Sequence, residues 1–373
     1  MKKAEWPALY RRLIAGAWLI AVTISLVACG GGDASPSVSP AQFSGLGFPS
    51  GYQASEASAV SADGSVVVGT ATTANGDRQA FRWTAGRGMT ALGVLPGGMH
   101  TTASGVSADG SIVVGNGDTR SEPSTPFAGF RWLAERGISR IAPIPGSYLC
   151  SAAGVSGDGQ TIVGTCLTVN SEAFRWTQAT GSYGLGRFGG GSDQTSSAAA
   201  ISADGGIVVG AGHPVLTGAV MWQSPGTPIV LGKLPGDASA TALAVSRDGV
   251  VVVGISLDDA QVSRAFRWTR SSGMVALETT VGGMQGTVAD GVSGDGSIAV
   301  GWATTPSGET AIIWDAEHGM RPLDAALASD YQRQIVGWRL TRATAISDDG
   351  PTIAGIGTNA QGQTEAWIVR LPG

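Results

Sequence analysis

The pattern Ser-x-Asp-Gly recurs seven times along the chain, with its carboxylate at Asp63, Asp109, Asp158, Asp204, Asp248, Asp295 and Asp349. The intervals are 46, 49, 46, 44, 47 and 54 residues. A repeat of this length governs the fold, because each unit must bury its apolar face against its neighbours. A small and apolar run precedes each turn, as in ASAV at 57–60, and an apolar run ending in Gly follows it, as in SVVVG at 65–69. Next comes Ala/Gly-aromatic-x-Trp: AFRW at 80–83, GFRW at 129–132, AFRW at 173–176 and AFRW at 265–268. Diverged copies are AVMW at 219–222, AIIW at 311–314 and AWIV at 366–369. A Gly-Met-x-x-Leu-Gly run closes the unit, clearest at 88–93.

Each unit therefore holds four short β-rich runs with Gly or Pro in nearly every gap, which excludes a helical repeat. Four strands in about 46 residues is the size of one propeller blade. The first three strands occur seven times, but the fourth occurs only six times after the first unit, near Leu92, Ile141, Leu185, Leu231, Leu277 and Leu323. The missing copy is SGLGF at 44–48, ahead of the first unit. The sequence predicts an all-β chain, a seven-bladed β-propeller of four-stranded blades, closed by an N-terminal strand that completes the last blade and removes an open edge.

These units resemble the HAF family of bacterial extracellular repeats. The resemblance lies in VSADGSVVVG, AFRWT and GMxxLGxLPGG, covers about residues 44–371, and is weakest in the seventh unit, where AWIV replaces AFRW. It implies an extracellular protein and no defined activity.

The repeated residues read as structure. Ala62-Asp63-Gly64 fits a three-residue hairpin loop with Gly in the left-handed position, so each Asp serves its own turn. Phe81 and Trp83 share one strand face and suit packing between blades. Arg82 is replaced by Met221, Ile313 and Ile368 in other units, which points to packing of its stem.

The N-terminus has Lys2, Lys3, Arg11 and Arg12 and then an uncharged stretch from Leu13 to Ala28, the order of a secretory signal. That stretch is shorter than the ~20 residues a spanning helix needs. Leu26-Val27-Ala28-Cys29 is similar to the lipobox of bacterial lipoproteins, which implies lipidation of Cys29, removal of residues 1–28 and membrane anchoring through the lipid. Residues 29–43 read as a Gly/Ser/Pro tether and 44–373 as the propeller. Gly30 stands where an Asp is associated with inner-membrane retention, so an outer-membrane lipoprotein of the cell envelope is expected.

The chain carries a formal charge of −5, and residues 1–28 contribute +3, so the remainder carries −8. It lacks a basic stripe, which argues against nucleic acid. The three His stand at His100, His213 and His318; the first two fall on one propeller face and the third on the other, so no metal site is expected. No cofactor motif occurs.

Recognition is sought where the units differ, in the loops between the fourth strand and the next first strand. These supply His100, Tyr148, Asp193, Asp237 and Gln285, and the longest, near 325–340, adds Asp330, Tyr331, Arg333 and Trp338. The expected function is a monomeric, non-enzymatic binding module for a protein or glycan ligand. The alternative is a propeller lyase or glycosidase acting on polysaccharide. A glycosidase needs two carboxylates about 5–9.5 Å apart, and Asp193, Asp237 and Asp330 are its candidates. Counting outward from the third turn sets Cys150 opposite Cys166, which predicts a disulfide in an exported chain.

The export reading has a direct test. Cys29→Ala is expected to leave the precursor unprocessed at this site and out of the detergent phase after Triton X-114 partition. An acylated, membrane-bound variant would overturn the lipobox assignment.

Overall fold

The computed structural model describes residues 40–119, 127–187, 194–213, 218–223, 228–277 and 282–372. Cys29, the signal segment and most of the tether lie outside them, as does Asp193. The chain enters through β1 (Gln42–Gly45). Blade 1 then takes β2 (Ala54–Val60), β3 (Val66–Thr72), β4 (Arg78–Thr84) and β5 (Gly88–Ala91). Blade 2 takes β6 (Thr101–Val106), β7 (Ile112–Asp118), β8 (Phe127–Leu133) and β9 (Gly137–Arg140). Blade 3 takes β10 (Leu149–Val155), β11 (Thr161–Leu167), β12 (Ser171–Thr177) and β13 (Gly181–Gly184). Blade 4 takes β14 (Thr195–Ile201), β15 (Ile207–His213), β16 (Gly218–Gln223) and β17 (Ile229–Gly232). Blade 5 takes β18 (Ser239–Val245), β19 (Val252–Leu257), β20 (Ser263–Thr269) and β21 (Gly273–Ala276). Blade 6 takes β22 (Gly286–Val292), β23 (Ile298–Thr305), β24 (Gly308–Asp315) and β25 (Gly319–Pro322), and is followed by α1 (Leu323–Ser329). Blade 7 takes β26 (Arg339–Ile346), β27 (Thr352–Thr358) and β28 (Thr364–Arg370), and its order β26-β27-β28-β1 shows that the N-terminal strand supplies the fourth position. The protein is a seven-bladed β-propeller closed by its first strand.

The Ser-x-Asp-Gly turn is a hydrogen-bonded unit. The Ser61 hydroxyl donates to Asp63 Oδ1 at 2.8 Å and accepts the Val66 N–H at 2.9 Å. Asp63 Oδ1 also accepts the Ser65 N–H at 2.9 Å, and Gly64 takes φ +67°, where a Cβ would be strained. The Ser61 N–H donates to the Val66 carbonyl, so the loop has four residues, 62–65, where three were expected. A bulge later in each inner strand restores the expected register. In blade 3, Val155 pairs with Ile162 and Gly154 with Val163, Ala153 is left out, and from Ala152 outward the pairing returns to Cys150 opposite Cys166. Those two Cys form a disulfide.

The bulge also explains the Gly that ends each second-strand apolar run. A Cβ on Gly69 would lie 2.0 Å from the Glu56 carbonyl oxygen and 2.8 Å from the Phe81 ring. The blades are then sewn together at the turns. The N–H of Ala62 donates to the Ala108 carbonyl, Ala108 to Gly157, Gly157 to Ala203 and Ala203 to Arg247. Gly294 donates to Asp348, and Asp349 donates back to Ala62. A second stitch uses the third-strand Arg: Arg82 donates to the Gly110 carbonyl at 2.9 Å and Arg175 to Gly205 at 2.6 Å. In blade 7 the residue two positions on, Arg370, reaches Gly64 of blade 1. Arg82 and its counterparts thus do more than pack.

The closing strand begins two residues earlier than expected. Gln42 pairs with Arg370, Phe43 with Val369, Ser44 with Ile368 and Gly45 with Trp367, while Leu46 still donates to the Ala366 carbonyl at 2.9 Å. The motif's Leu, or Ile141 in blade 2, falls just past the fourth strand in every other blade except blade 4, as Leu92 does after β5. The tether boundary near 43 moves accordingly, since Ala41 is 2% exposed.

Removing Gln42–Gly45 uncovers Trp367 and Val369, both fully buried in the blade 6–7 core. By analogy with large core truncations, the loss is at least about 3 kcal/mol. Deletion of 42–45 is expected to lower the melting temperature sharply, and deletion of 30–37 to leave it nearly unchanged. Equal small effects would refute closure by β1.

Candidate functional site

Two faces can be distinguished by their loops. The lower face carries the Asp-Gly turns and the third-to-fourth strand turns; the upper face carries the remaining connections. The residues singled out in the loops do not gather into one site. His100 is used structurally: its N–H donates to Asp118 Oδ1 at 2.6 Å, and its Nδ1 accepts the Arg78 N–H at 3.2 Å. Tyr148 is 48% exposed, and its N–H donates to the Leu167 carbonyl. Gln285 is exposed, with its N–H on Thr304. The Asp237 side chain is 1% exposed and paired with Arg264 at 2.5 Å, so it is not a free carboxylate.

The long connection after blade 6 is not an upper-face recognition loop. Its α1 buries Leu323, Ala326 and Leu327, and its end returns to the lower face as a strap along the blade 6–7 seam. Asp330 accepts Arg321 at 2.6 Å, and Arg321 also holds Asp315 at 2.8 Å, next to the lower-face His318. The Tyr331 carbonyl accepts the Ala41 N–H. Arg333 donates its N–H to Leu327, and Trp338 packs edge-on against Phe43 at 5.2 Å. These four residues fasten the seam beside the closing strand. Asp237 and Asp330 therefore lie on opposite faces, each in an ion pair, and do not form a carboxylate couple.

The non-repeated chemistry lies instead on the inner strands. All seven line a central cavity of about 290 Å³. The residue left unpaired at each bulge lines it too: Ser58, Ser104, Ala153, Ala199, Leu243, Asp290 and Thr344. Six of these are small or neutral, and one is a carboxylate. Asp290 accepts the Trp302 indole N–H, and burial pushes its pKa up to about 6, against the opposing pull of Arg342. Arg342 is already committed. Its Nε donates to Glu309 Oε2 at 2.6 Å, its Nη2 bonds Glu309 Oε1, and its guanidinium lies 4.5 Å over the Trp302 ring. That hydrogen bonding holds the Glu309 carboxyl below its usual range. Half-buried Glu56, on the adjacent blade, adds its charge to Arg342 from the other side.

The lower end of the cavity is narrowed by Arg247 and Asp348, paired at 3.4 Å on the turns of blades 5 and 7. The turn between them carries Gly294, whose Cβ would lie 2.5 Å from the Asp348 carbonyl oxygen. The cavity thus has a barred lower mouth and a charged upper sector formed by blades 6, 7 and 1. Asp290, Trp302, Glu309, Arg342 and Glu56 were not picked out from the sequence. The available signal was clearest at Asp290, which departs from the repeat inside a strand where the other units have Ser, Ala, Leu or Thr. Among the described residues no group of His, Cys, Asp and Glu is arranged to hold a metal ion.

No family model and no curated protein matches the sequence. Among solved structures, an oligogalacturonate lyase in complex with manganese superposes with a TM-score of 0.58 at 13% identity, covering 89% of this chain and 93% of that one. The β-propeller domain of the trilobed protease from Pyrococcus furiosus gives 0.56 at 10% identity, covering 85% and 95%. That domain is described as having an open velcro topology, whereas β1 closes the ring here. TolB from Acinetobacter baumannii gives 0.46 at 11% identity; 69% of this chain is covered, and it spans 63% of that protein's length. The likenesses to the lyase and the protease domain establish the fold and nothing finer.

The Asp290 environment has a thermodynamic signature. Its folded pKa lies above its ordinary 3.8, so the folded state binds the extra proton between 3.8 and about 6. This group's contribution to stability is most favourable below 3.8 and is lost as pH rises through about 6. Above that, the buried charge costs about 3 kcal/mol. Asp290→Asn keeps an acceptor for Trp302 and is expected to stabilise the fold by about 2–3 kcal/mol at pH 7.5 and by almost nothing near pH 3.5. Chemical denaturation at the two pH values checks this.

Proposed function

We propose that the chain is an exported, lipid-anchored propeller that binds a protein or glycan ligand of the cell envelope at the upper mouth of its channel. The observation that carries this reading is Asp290. One bulge position in seven holds a carboxylate that weakens the fold at neutral pH, beside an Arg–Glu–Trp arrangement that no other blade repeats. Residues retained against stability mark sites of function more often than of architecture. The lipobox at Cys29 and the HAF-like repeats support an envelope location, with the lipid on the outer membrane.

A second reading draws on the same cluster. A carboxyl raised to about 6 beside an ionised Glu309 is the pairing of proton states that acid–base cleavage of a polysaccharide uses. Glu309 is bound by Arg342, which favours binding over turnover.

Glycan-array and envelope pull-down experiments with the purified full chain test both readings. Asp290→Asn and Glu56→Gln are each expected to weaken capture of the ligand at least tenfold, and substitution of Asp237 to leave it unchanged. Undiminished capture by both variants would sink the upper-mouth site. New reducing ends released by the parent protein and lost in Asp290→Asn would favour the enzyme.

A further inference from the structure

Crevices between blades open on the lower face with one recurring design. Two of them are walled by a third-strand Arg, the next blade's Asp-Gly turn and the next blade's Trp. Between blades 1 and 2 the crevice holds about 680 Å³, within the range of small-ligand sites, with Arg82, Arg87, Thr90, Ser111 and Trp132 in its walls. Its counterpart between blades 5 and 6 holds about 460 Å³ and pairs Arg267 and Trp314 with Asp315, Glu317 and His318. Between these two crevices the shape repeats while the charge does not.

Arg87 stands just before the Gly that opens the fourth strand. The same place is Arg136 in blade 2, beside the third-strand Arg131, but Thr180 in blade 3, Ser272 in blade 5 and His318 in blade 6. Arg82 uses Nε on the Gly110 carbonyl, and its two terminal nitrogens and the whole Arg87 side chain have no partner among the described residues. Asp109, the carboxylate in this wall, is held in its own turn by Ser107 and Ser111. Burial first, and then the Arg87 charge, push the Arg82 pKa down against the opposing pull of Asp109, as expected for two like charges facing one space. This concentration of positive charge sits on a propeller whose net charge is negative. Half-buried Trp132 offers a ring, and Thr90 and Ser111 offer hydroxyls.

Guanidinium forks match carboxylate and sulfate bidentately. An aromatic wall accepts the apolar face of a sugar ring, and nearby hydroxyls suit a polyol. We propose that the crevice between blades 1 and 2 binds an acidic saccharide, with its carboxylate or sulfate on Arg82 and Arg87 and its ring against Trp132. The proposal rests on the reading of this chain as a binding module, but uses a site separate from the upper mouth.

Calorimetric titration of the full chain in detergent tests it with methyl glucuronide, glucose 6-sulfate, methyl glucoside and inorganic sulfate. The two acidic sugars are expected to bind at least tenfold more tightly than the neutral glucoside and than sulfate, with affinity falling as salt rises. Their relative strength tells carboxylate from sulfate recognition. Arg87→Gln, at an exposed position, should lose at least tenfold in affinity with an unchanged melting temperature, and Arg270→Gln on blade 5 should lose none. Asp290→Asn should leave saccharide affinity intact, which separates this site from the channel. Equal binding of the neutral glucoside, sulfate binding as tight as the sugars, or an Arg87→Gln variant with parental affinity would each overturn the proposal. If no acidic sugar binds while array capture persists, this inference falls and the binding-module reading stands.

Discussion

The propeller depends on a single buried hydroxyl used seven times. Ser61, Ser107, Ser156, Ser202, Ser246, Ser293 and Ser347 are each at most 1% exposed, and each hydroxyl donates to the turn Asp while accepting a main-chain N–H five residues on. The Ser107 hydroxyl and the Ser111 N–H hold Asp109 below the ordinary carboxylate range, and Asp158, Asp204 and Asp295 are held down in the same way. The residue between Ser and Asp is thereby fixed in position. Its N–H and carbonyl face the neighbouring blades, so a turn that satisfies itself locally also builds the lower rim of the ring. Small residues suit that place in most blades, and the two charged exceptions, Arg247 and Asp348, pair across Gly294. The fold is thus local chemistry first and ring closure second, which suits a repeat whose units contact only their neighbours.

The parts of this design that recur were legible in the sequence. Strand order, blade number and the need for β1 followed from counting, because the same four runs return in the same order. The length of the turn did not. A four-residue loop and a bulge three residues before the Ser offset each other, so Cys150 meets Cys166 as a simple three-residue loop would also require. Sequence pattern records the sum of the two irregularities and not their parts. The disulfide position itself is informative. Ser55, Thr101 and Ser196 occupy it in blades 1, 2 and 4, and their hydroxyls accept the N–H of Ala366, Ala80 and Ala173 in the preceding blade. Cys150 lacks that hydroxyl and instead forms a parallel bridge to Ala128 of blade 2.

The loops that vary most between units hold residues engaged in structural contacts. The longest and most aromatic connection, with Tyr331, Arg333 and Trp338, turned out to stiffen the one seam whose blade is assembled from both ends of the chain. A seam with a discontinuous strand has less covalent continuity than the others, so extra apolar cover there is economical: Leu323, Ala326 and Leu327 are fully buried in the core shared by blades 6 and 7. The informative departures were single residues inside otherwise regular strands. A substitution in a loop meets solvent and carries little physical consequence. A carboxylate at the Asp290 position enters a half-buried ring of neutral residues and must be accommodated by Trp302 and its neighbours.

The same logic divides the two faces. At the lower face the repeat itself supplies crevices, and the third-strand Arg shows how firmly they are built in. Where that Arg is lost, the replacement is Met221, 3% exposed, or Ile313, 1% exposed, and the crevice wall becomes core. In blade 7 the Arg moves two residues to Arg370 and keeps its reach to the next turn, because residues two apart share one strand face. The guanidinium is therefore a structural default, and its presence alone says nothing about ligands. What sets the crevice of blades 1 and 2 apart from that of blades 5 and 6 is the second guanidinium, Arg87, whose side chain bonds no neighbour among the described residues; blade 2 repeats the pair as Arg131 and Arg136. At the upper mouth the distinction is likewise one charge, Asp290, at a place where six blades do without it. In a sevenfold scaffold a charge that most blades lack is the informative residue, because those blades show that the architecture does not need it.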